Sequence, residues 1–316
     1  MESIHCLFCG DAGTRPYHQE NGYQAVSCNA CGLVFVTPRP SEAEMKQLYE
    51  GQETKIDLGR QIRKIEAATV EAQTALRLIR RHAPAGRILE IGCAAGWFLR
   101  EASRKGHPAT GIDITRQLVT FARDVLGVDA REGTLTSVPL DPGTFDVVYH
   151  RNVLSHLAYP LESFHRMREL LRPEGLVVFQ TGNVAELPGE HWAGTDELDL
   201  PDHLFHFSEP TIRLLLDRTG FETLEVRRYA LVAHDPWLRA LTRPRRPSPS
   251  SSASSAPREP SPTQPTPFVP PNHAPRPRIF KMVEALADQA LTFGLGSIVP
   301  ARGRRCTLIV VGRARR

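Results

Sequence analysis

The chain has 316 residues, enough for one large domain or two modest ones, and its 41% hydrophobic and 23% charged residues are the balance of a globular protein. It has no apolar run long enough to span a bilayer, and Met1–Gly10 lacks the basic and apolar regions of a secretory signal, so a cytoplasmic location is expected. Residues 243–316 hold 13 Lys and Arg against 3 Asp and Glu while the remainder holds 26 against 32, and a mildly acidic body argues against a nucleic-acid-binding face.

Residues 1–40 are turn-rich and carry two Cys-x-x-Cys pairs, Cys6/Cys9 and Cys28/Cys31, with eighteen residues between them. Four thiolates at this spacing satisfy tetrahedral Zn²⁺ and leave no open position, which predicts a structural zinc site rather than a catalytic one. Gly10 and Gly32 follow the pairs, where a tight turn lets backbone N–H groups approach the sulfurs. The alternative is two disulfides or four unrelated thiols, and a reducing cytoplasm weighs against disulfides. Cys93 and Cys306 read as buried apolar fillers.

Ser41-Glu42-Ala43-Glu44 has capping-box spacing ahead of Met45, Leu48 and Tyr49, so a short helix starts there. Residues 60–82 read as an amphipathic helix with Ile62, Ile65, Ala72, Leu76 and Ile79 near one face, ended by Pro84 and Gly86. Apolar strand-like runs follow at Arg87–Cys93, Ala109–Ile114, Phe145–Tyr149 and Leu176–Gln180. Helical segments alternate with them at Phe98–Lys105, Arg116–Leu126 and Leu161–Leu171. That alternation predicts an α/β fold, doubly wound around a mostly parallel sheet. A helix Glu209–Thr219, with Ser208 as N-cap and Gly220 as stop, leads to a strand Phe221–Tyr229. Residues 243–277 are dense in Pro, Ser and Arg, as expected for a disordered insert. An amphipathic helix at Ile279–Phe293 and an apolar strand at Cys306–Val311 come after it, so the insert interrupts the sheet domain. The helical region 278–294 is expected to cover the acceptor site, with weak membrane-surface contact as the alternative. The expected organisation is a zinc ribbon at 1–40, a helical linker at 41–86, the sheet domain at 87–242, the insert at 243–277, and a closing helix and strand at 278–316.

Ile88-Leu89-Glu90-Ile91-Gly92-Cys93-Ala94-Ala95-Gly96 is a strand ending in a turn of small residues before a helix. Such a turn lets backbone N–H groups approach a ligand. Asp113 ends the next strand, where doubly wound folds place an acid on ribose hydroxyls. The third Gly of a dinucleotide loop and the Gly-Lys-Ser/Thr of a phosphate loop are both missing. Glu90 would repel a pyrophosphate but suits an amine-bearing, cationic ligand, and S-adenosylmethionine has an amine, a sulfonium and no phosphate.

With Gly111-Ile112-Asp113, Phe145-Asp146-Val147-Val148, Leu154-Ser155-His156-Leu157, Leu171-Arg172-Pro173-Glu174-Gly175-Leu176 and His203-Leu204-Phe205-His206-Phe207-Ser208, this stretch resembles the class I S-adenosylmethionine-dependent methyltransferases. Cys31-Gly32-Leu33-Val34-Phe35 and Pro38-Arg39-Pro40 look like the zinc-ribbon leader of a bacterial subgroup that acts on sugars or other secondary metabolites. The likeness runs from residue 6 to about 230 and includes the final strand. It implies a seven-stranded, mostly parallel sheet with the cofactor at Gly92, Cys93, Ala94 and Gly96. Glu90 would lie near the methionine amine, Asp113 on the ribose, and Ile114 and Leu135 against the adenine. Ala94 replaces the usual middle glycine, Thr134 stands where the family carries an acid for the adenine amino group, and His150 joins the cofactor-facing set.

Methyl transfer needs an aligned acceptor that often gives up a proton, so a base belongs at the carboxyl edge of the sheet. His150, His156, His191, His203 and His206 follow the fourth and fifth strands, and the resemblance points to His156 and His203. The competing reading is that His156 packs its loop and His203 orients Asp202–Ser208. The expected activity is S-adenosylmethionine-dependent methyl transfer to a small-molecule acceptor. The alternatives are an RNA methyltransferase and a non-catalytic binding module.

Overall fold

A computed structural model describes residues 1–41, 43–45, 58–59, 65–186, 198–229 and 307–316. His191, the insert at 243–277 and the helix at Ile279–Phe293 lie outside the described residues.

The N-terminal segment forms strands β1 (Thr14–Glu20), β2 (Tyr23–Cys28) and β3 (Val34–Val36), all antiparallel. The local signal is Asn21-Gly22, whose positive φ angles of 51° and 80° form the two-residue hairpin turn that matches strand twist.

The alternating region gives α1 (Ile65–His82), β4 (Ile88–Ile91), α2 (Trp97–Arg104), β5 (Ala109–Asp113), α3 (Arg116–Asp124), β6 (Asp129–Glu132), β7 (Phe145–Arg151), α4 (Pro160–Leu170) and β8 (Leu171–Gly182). Then come β9 (Phe205–His206), α5 (Glu209–Arg218), β10 (Phe221–Tyr229) and β11 (Thr307–Ala314). Strand β6 is an edge strand with only Ala130 buried, too little apolar signal to be read from sequence. Helix α5 starts on a capping box in which Ser208 and Thr211 satisfy each other's backbone N–H, worth about 1 kcal/mol.

Seven strands form the main sheet in the order β10-β11-β8-β7-β4-β5-β6. β11 runs antiparallel between β8 and β10, and the pairs from β8 to β6 are parallel. The last strand is thus interior to the sheet, as its Leu308–Val311 run requires, because an apolar strand of this kind needs cover on both faces.

Side-chain alternation divides the core. Ile88, Val147, Tyr149, Val178 and Ile309 meet Ala72, Leu76 and Ile79 of α1 and Phe98 of α2, whose ring stacks on Tyr149 at 4.3 Å. On the other face Leu89, Ile91, Val148, Phe179 and Val310 meet Phe164 and Met167 of α4 and Ile212 and Leu215 of α5. That second core continues without a break into Cys6, Phe8, Val26, Leu33 and Phe35. The small sheet completes itself across it: β3 pairs with β9, Phe35 opposite Phe205, giving the order β1-β2-β3-β9. The fourth strand of the small sheet thus comes from beyond β8.

Candidate functional site

Strands β4 and β5 end side by side, and the loop 92–96 turns between them. Gly92, Ala94 and Gly96 take positive φ angles of 72°, 46° and 78°. At Gly92 a Cβ would also fall 2.5 Å from Val153 Cγ2, so both backbone and space demand glycine. The N–H groups of Gly92 and Cys93 donate to the Ile112 carbonyl at 2.8 and 3.1 Å. Asp113 holds the rest: its carboxylate accepts from Ala94 N at 2.9 Å and from Thr115 N at 2.8 Å. Asp113 thus fixes the shape of the loop.

Glu90 is fully buried, and its Oε2 has no hydrogen-bond partner. Burial pushes its carboxyl well above the usual range, against the pull of Arg151, with Asp113 adding to the rise. A buried carboxylate oxygen of this kind asks for a donor. Cys93 packs inward on Leu99, Val119 and Ala122, and burial raises its thiol, so it carries no thiolate chemistry. Ile114 is 51% exposed beside Asp113, an apolar side chain at the open edge. Gly133 N donates to the Asp113 carbonyl at 2.9 Å, which brings the next turn alongside. There Thr134 is exposed and bonded to Thr136 and Ser137, while Leu135 is buried in the core beneath.

His150, expected among the cofactor-facing residues, is fully buried. It is opposite Ile91 in the β4–β7 register, so alternation turns it away from Glu90 and Tyr149 and into the second core. Its ring stacks on Phe179 at 4.9 Å and meets Phe164 edge-on at 6.0 Å. Neither ring nitrogen has a hydrogen-bond partner, and burial pulls its pKa down to about 3. It is a neutral core histidine, without a face toward the cleft.

His156 and His203, far apart in sequence, are brought together with ring centroids 4.6 Å apart. His156 lies in a short 3₁₀ turn, Leu154–His156, after β7. His203 precedes β9. His156 Nδ1 lies 3.0 Å from the Asp202 carbonyl and 3.3 Å from Asp202 Oδ1, and His203 Nδ1 lies 2.9 Å from the Leu198 carbonyl. A carbonyl only accepts, so each Nδ1 carries the hydrogen and each Nε2 keeps its lone pair when the ring is neutral. Burial, and then the neighbouring His156, hold His203 below the ordinary histidine range. His206 follows at 6.0 Å from His203, buried in β9. Asp202 is the member of this group that sequence reasoning missed; its adjacency to His203 was the available signal.

In the N-terminal cluster, Cys6 and Cys31 sulfurs lie 3.5 Å apart and those of Cys9 and Cys28 3.4 Å apart, and all four lie within 4.8 Å of one another. Gly10 N donates to the Cys6 carbonyl and Gly32 N to the Cys28 carbonyl, closing two like turns. Backbone N–H groups of Phe8 and Cys9 point at Cys6 Sγ, and those of Ala30 and Cys31 at Cys28 Sγ. No helix among the described residues is long and apolar enough to cross a membrane.

A family model described as a methyltransferase domain matches residues 63–226. A ubiquinone biosynthesis O-methyltransferase of Roseobacter denitrificans is 31% identical over 155 residues, 43% of this chain and 62% of that protein. Its namesake in Nitrosococcus oceani is 34% identical over 116 residues, 34% of this chain and 49% of that protein. The chain therefore spans about half to three-fifths of these curated relatives. The structure of a 1,6-didemethyltoxoflavin-N1-methyltransferase from Burkholderia thailandensis, with S-adenosylhomocysteine bound, has a TM-score of 0.49 at 15% identity, covering 95% of this chain and 99% of that one.

Proposed function

The chain belongs to the methyltransferase-domain family, and from that premise we propose that it transfers the methyl group of S-adenosylmethionine to a small-molecule acceptor. The observation that carries this reading is the join of loop 92–96 to Asp113 beside the buried, unpartnered Glu90 Oε2. The residues fit the cofactor: Glu90 would accept from its ammonium, Asp113 would take ribose hydroxyls with the lone pairs its two backbone donors leave open, and Ile114 would lie against the adenine. When bound, the cofactor supplies an electrophilic methyl group on a sulfonium.

The chain's own part is to bind, orient and remove a proton. The loop carries no cationic side chain, which suits a ligand without phosphate. His203 keeps an Nε2 lone pair at neutral pH because its burial resists protonation, the condition a general base needs. His156 stands beside it as the second candidate, held by Asp202. The curated relatives are O-methyltransferases, so an acceptor hydroxyl, on a sugar or other secondary metabolite, is the substrate group we infer.

We also assign the four cysteines to a structural zinc ion. Zinc with four thiolates at roughly 2.3 Å needs sulfur–sulfur edges of about 3.8 Å, and the paired sulfurs lie just inside that spacing. None of these four cysteines is tied up in a disulfide, which leaves their sulfurs to the metal. The test is transfer of labelled methyl from S-adenosylmethionine into a metabolite extract and, separately, into total RNA. Label in the small-molecule fraction is expected. Label confined to RNA would overturn the acceptor class, and absence of cofactor binding in calorimetry would overturn the activity.

A further inference from the structure

Arg39 is 2% exposed, the largest side chain buried to that degree among the described residues. Its guanidinium touches three distant parts of the chain. Nε donates to Glu2 Oε1 at 2.7 Å, and Nη1 donates to the Ala158 carbonyl at 2.7 Å. The cation lies 5.1 Å from the Tyr159 ring centroid and 6.0 Å from that of Phe205. The backbone around it is pinned as well, since Glu2 and Arg39 exchange N–H···O bonds at 2.7 and 2.9 Å.

Burying a guanidinium is a costly way to fill space, and an apolar side chain of similar length would fill the same volume without desolvating a charge. What an apolar chain cannot do is hold a carbonyl and two ring faces in one register. Those groups lie just beyond each of the paired histidines in the chain. Ala158 and Tyr159 follow His156 by two and three residues, and Phe205 follows His203 by two. A second tie runs parallel to it: Val36 N donates to the Leu204 carbonyl at 3.0 Å, and Leu204 N donates to the Ser155 carbonyl at 2.8 Å. The small sheet therefore reaches both histidine segments twice, once through the β3 backbone and once through Arg39. The strand tie fixes the residues N-terminal to His156. The guanidinium ties the small sheet to those C-terminal to it, at Ala158 and Tyr159.

We propose that Arg39 is a positioning residue for the acceptor side of the site, holding the His156 segment against the His203 segment from the small sheet. This role rests on the acceptor-side reading of the two histidines. The experiment is nitrogen-detected NMR of the imidazoles in the full chain, in the wild type, Arg39→Met, Arg39→Lys and Tyr159→Leu, with S-adenosylmethionine affinity measured on the same samples. In the wild type both His156 and His203 should show the Nδ1–H tautomer. Arg39→Met should mix the tautomers of His156 and bring the His203 titration up toward the ordinary range, with cofactor affinity within twofold of wild type. Arg39→Lys should recover part of the effect, because an ammonium can reach one acceptor but cannot span both and lie flat on the rings. Tyr159 is 37% exposed, so Tyr159→Leu should fold and shift His156 in the same direction by a smaller amount, which covers a failure of Arg39→Met to fold. Unchanged tautomers and titration in the folded variants, whatever their loss of stability, would overturn the proposal. These readouts do not involve methyl transfer, so they fail separately from the assigned activity.

Discussion

His150 offers the sharpest test of how this core is built. Its ring is fully buried with two unpartnered nitrogens, and its pKa falls to about 3 from an ordinary 6.5. Well above pH 6.5 the ring is neutral in both folded and unfolded chains and contributes almost nothing to the pH dependence. As pH falls through 6.5, the unfolded chain takes up a proton that the folded chain refuses, so stability drops until the folded ring protonates near pH 3. At pH 5 the difference is 1.5 pKa steps of about 1.36 kcal/mol each, or about 2 kcal/mol, against less than about 0.1 kcal/mol at pH 7.5. Replacement by Leu removes the titration and keeps the volume. Leu also spares the two unpartnered nitrogens, and it loses the flat contact with Phe179, so the offset at pH 7.5 depends on packing. The change between the two pH values does not. Urea unfolding of wild type and His150→Leu at pH 7.5 and pH 5 should therefore show the variant gaining about 2 kcal/mol on the wild type, every other titrating group cancelling in the comparison. A gap that stays constant between the two pH values would refute the burial argument. Cofactor affinity should be unchanged in the same variant, since the ring faces away from Glu90.

Three further outcomes follow from the geometry. Purified protein should carry about one zinc per chain, and the double variant Cys28→Ser, Cys31→Ser should lose it; stoichiometric metal retained by that variant rules the site out. Asp113→Ala removes the acceptor for Ala94 N and Thr115 N as well as any ribose contact, each a charge-assisted bond worth roughly 1.5–3 kcal/mol. Calorimetry should show S-adenosylmethionine binding at least tenfold weaker, and unchanged affinity would mean that the cleft lies elsewhere. With an acceptor drawn from the labelled extract, His203→Ala should lower kcat by roughly 10²–10⁴-fold and leave cofactor affinity intact. A loss of only a fewfold would assign His203 a structural role and make His156 the next residue to replace.

Much of the scaffold was determined by the sequence alone, because it rests on local patterns. Strands buried on both faces need largely apolar runs, and Ile88–Ile91 (interrupted by Glu90), Val147–Tyr149 and Leu308–Val311 supply them wherever they occur in the chain. The small-residue turn at 92–96 and the acid at 113 are set by backbone conformation and by strand ends, both of which leave marks in residue type. The two Cys-x-x-Cys pairs are likewise local, each closing its own turn.

The tertiary structure alone decided what depends on facing and on pairing across distance. Whether His150 points to the cleft or the core is a matter of one residue in strand register, and a one-residue shift exchanges the two faces. Strand β6 buries a single side chain, so pairing with β5 rather than its own composition makes it a strand. The closure of the small sheet by β9 joins segments more than 160 residues apart. That closure buries Arg39 against Ala158, Tyr159 and Phe205 and brings His156, Asp202 and His203 together. No periodicity records it, because each of those residues is polar, lies in a loop or at a strand end, and acquires its neighbours only when the two sheets share one core.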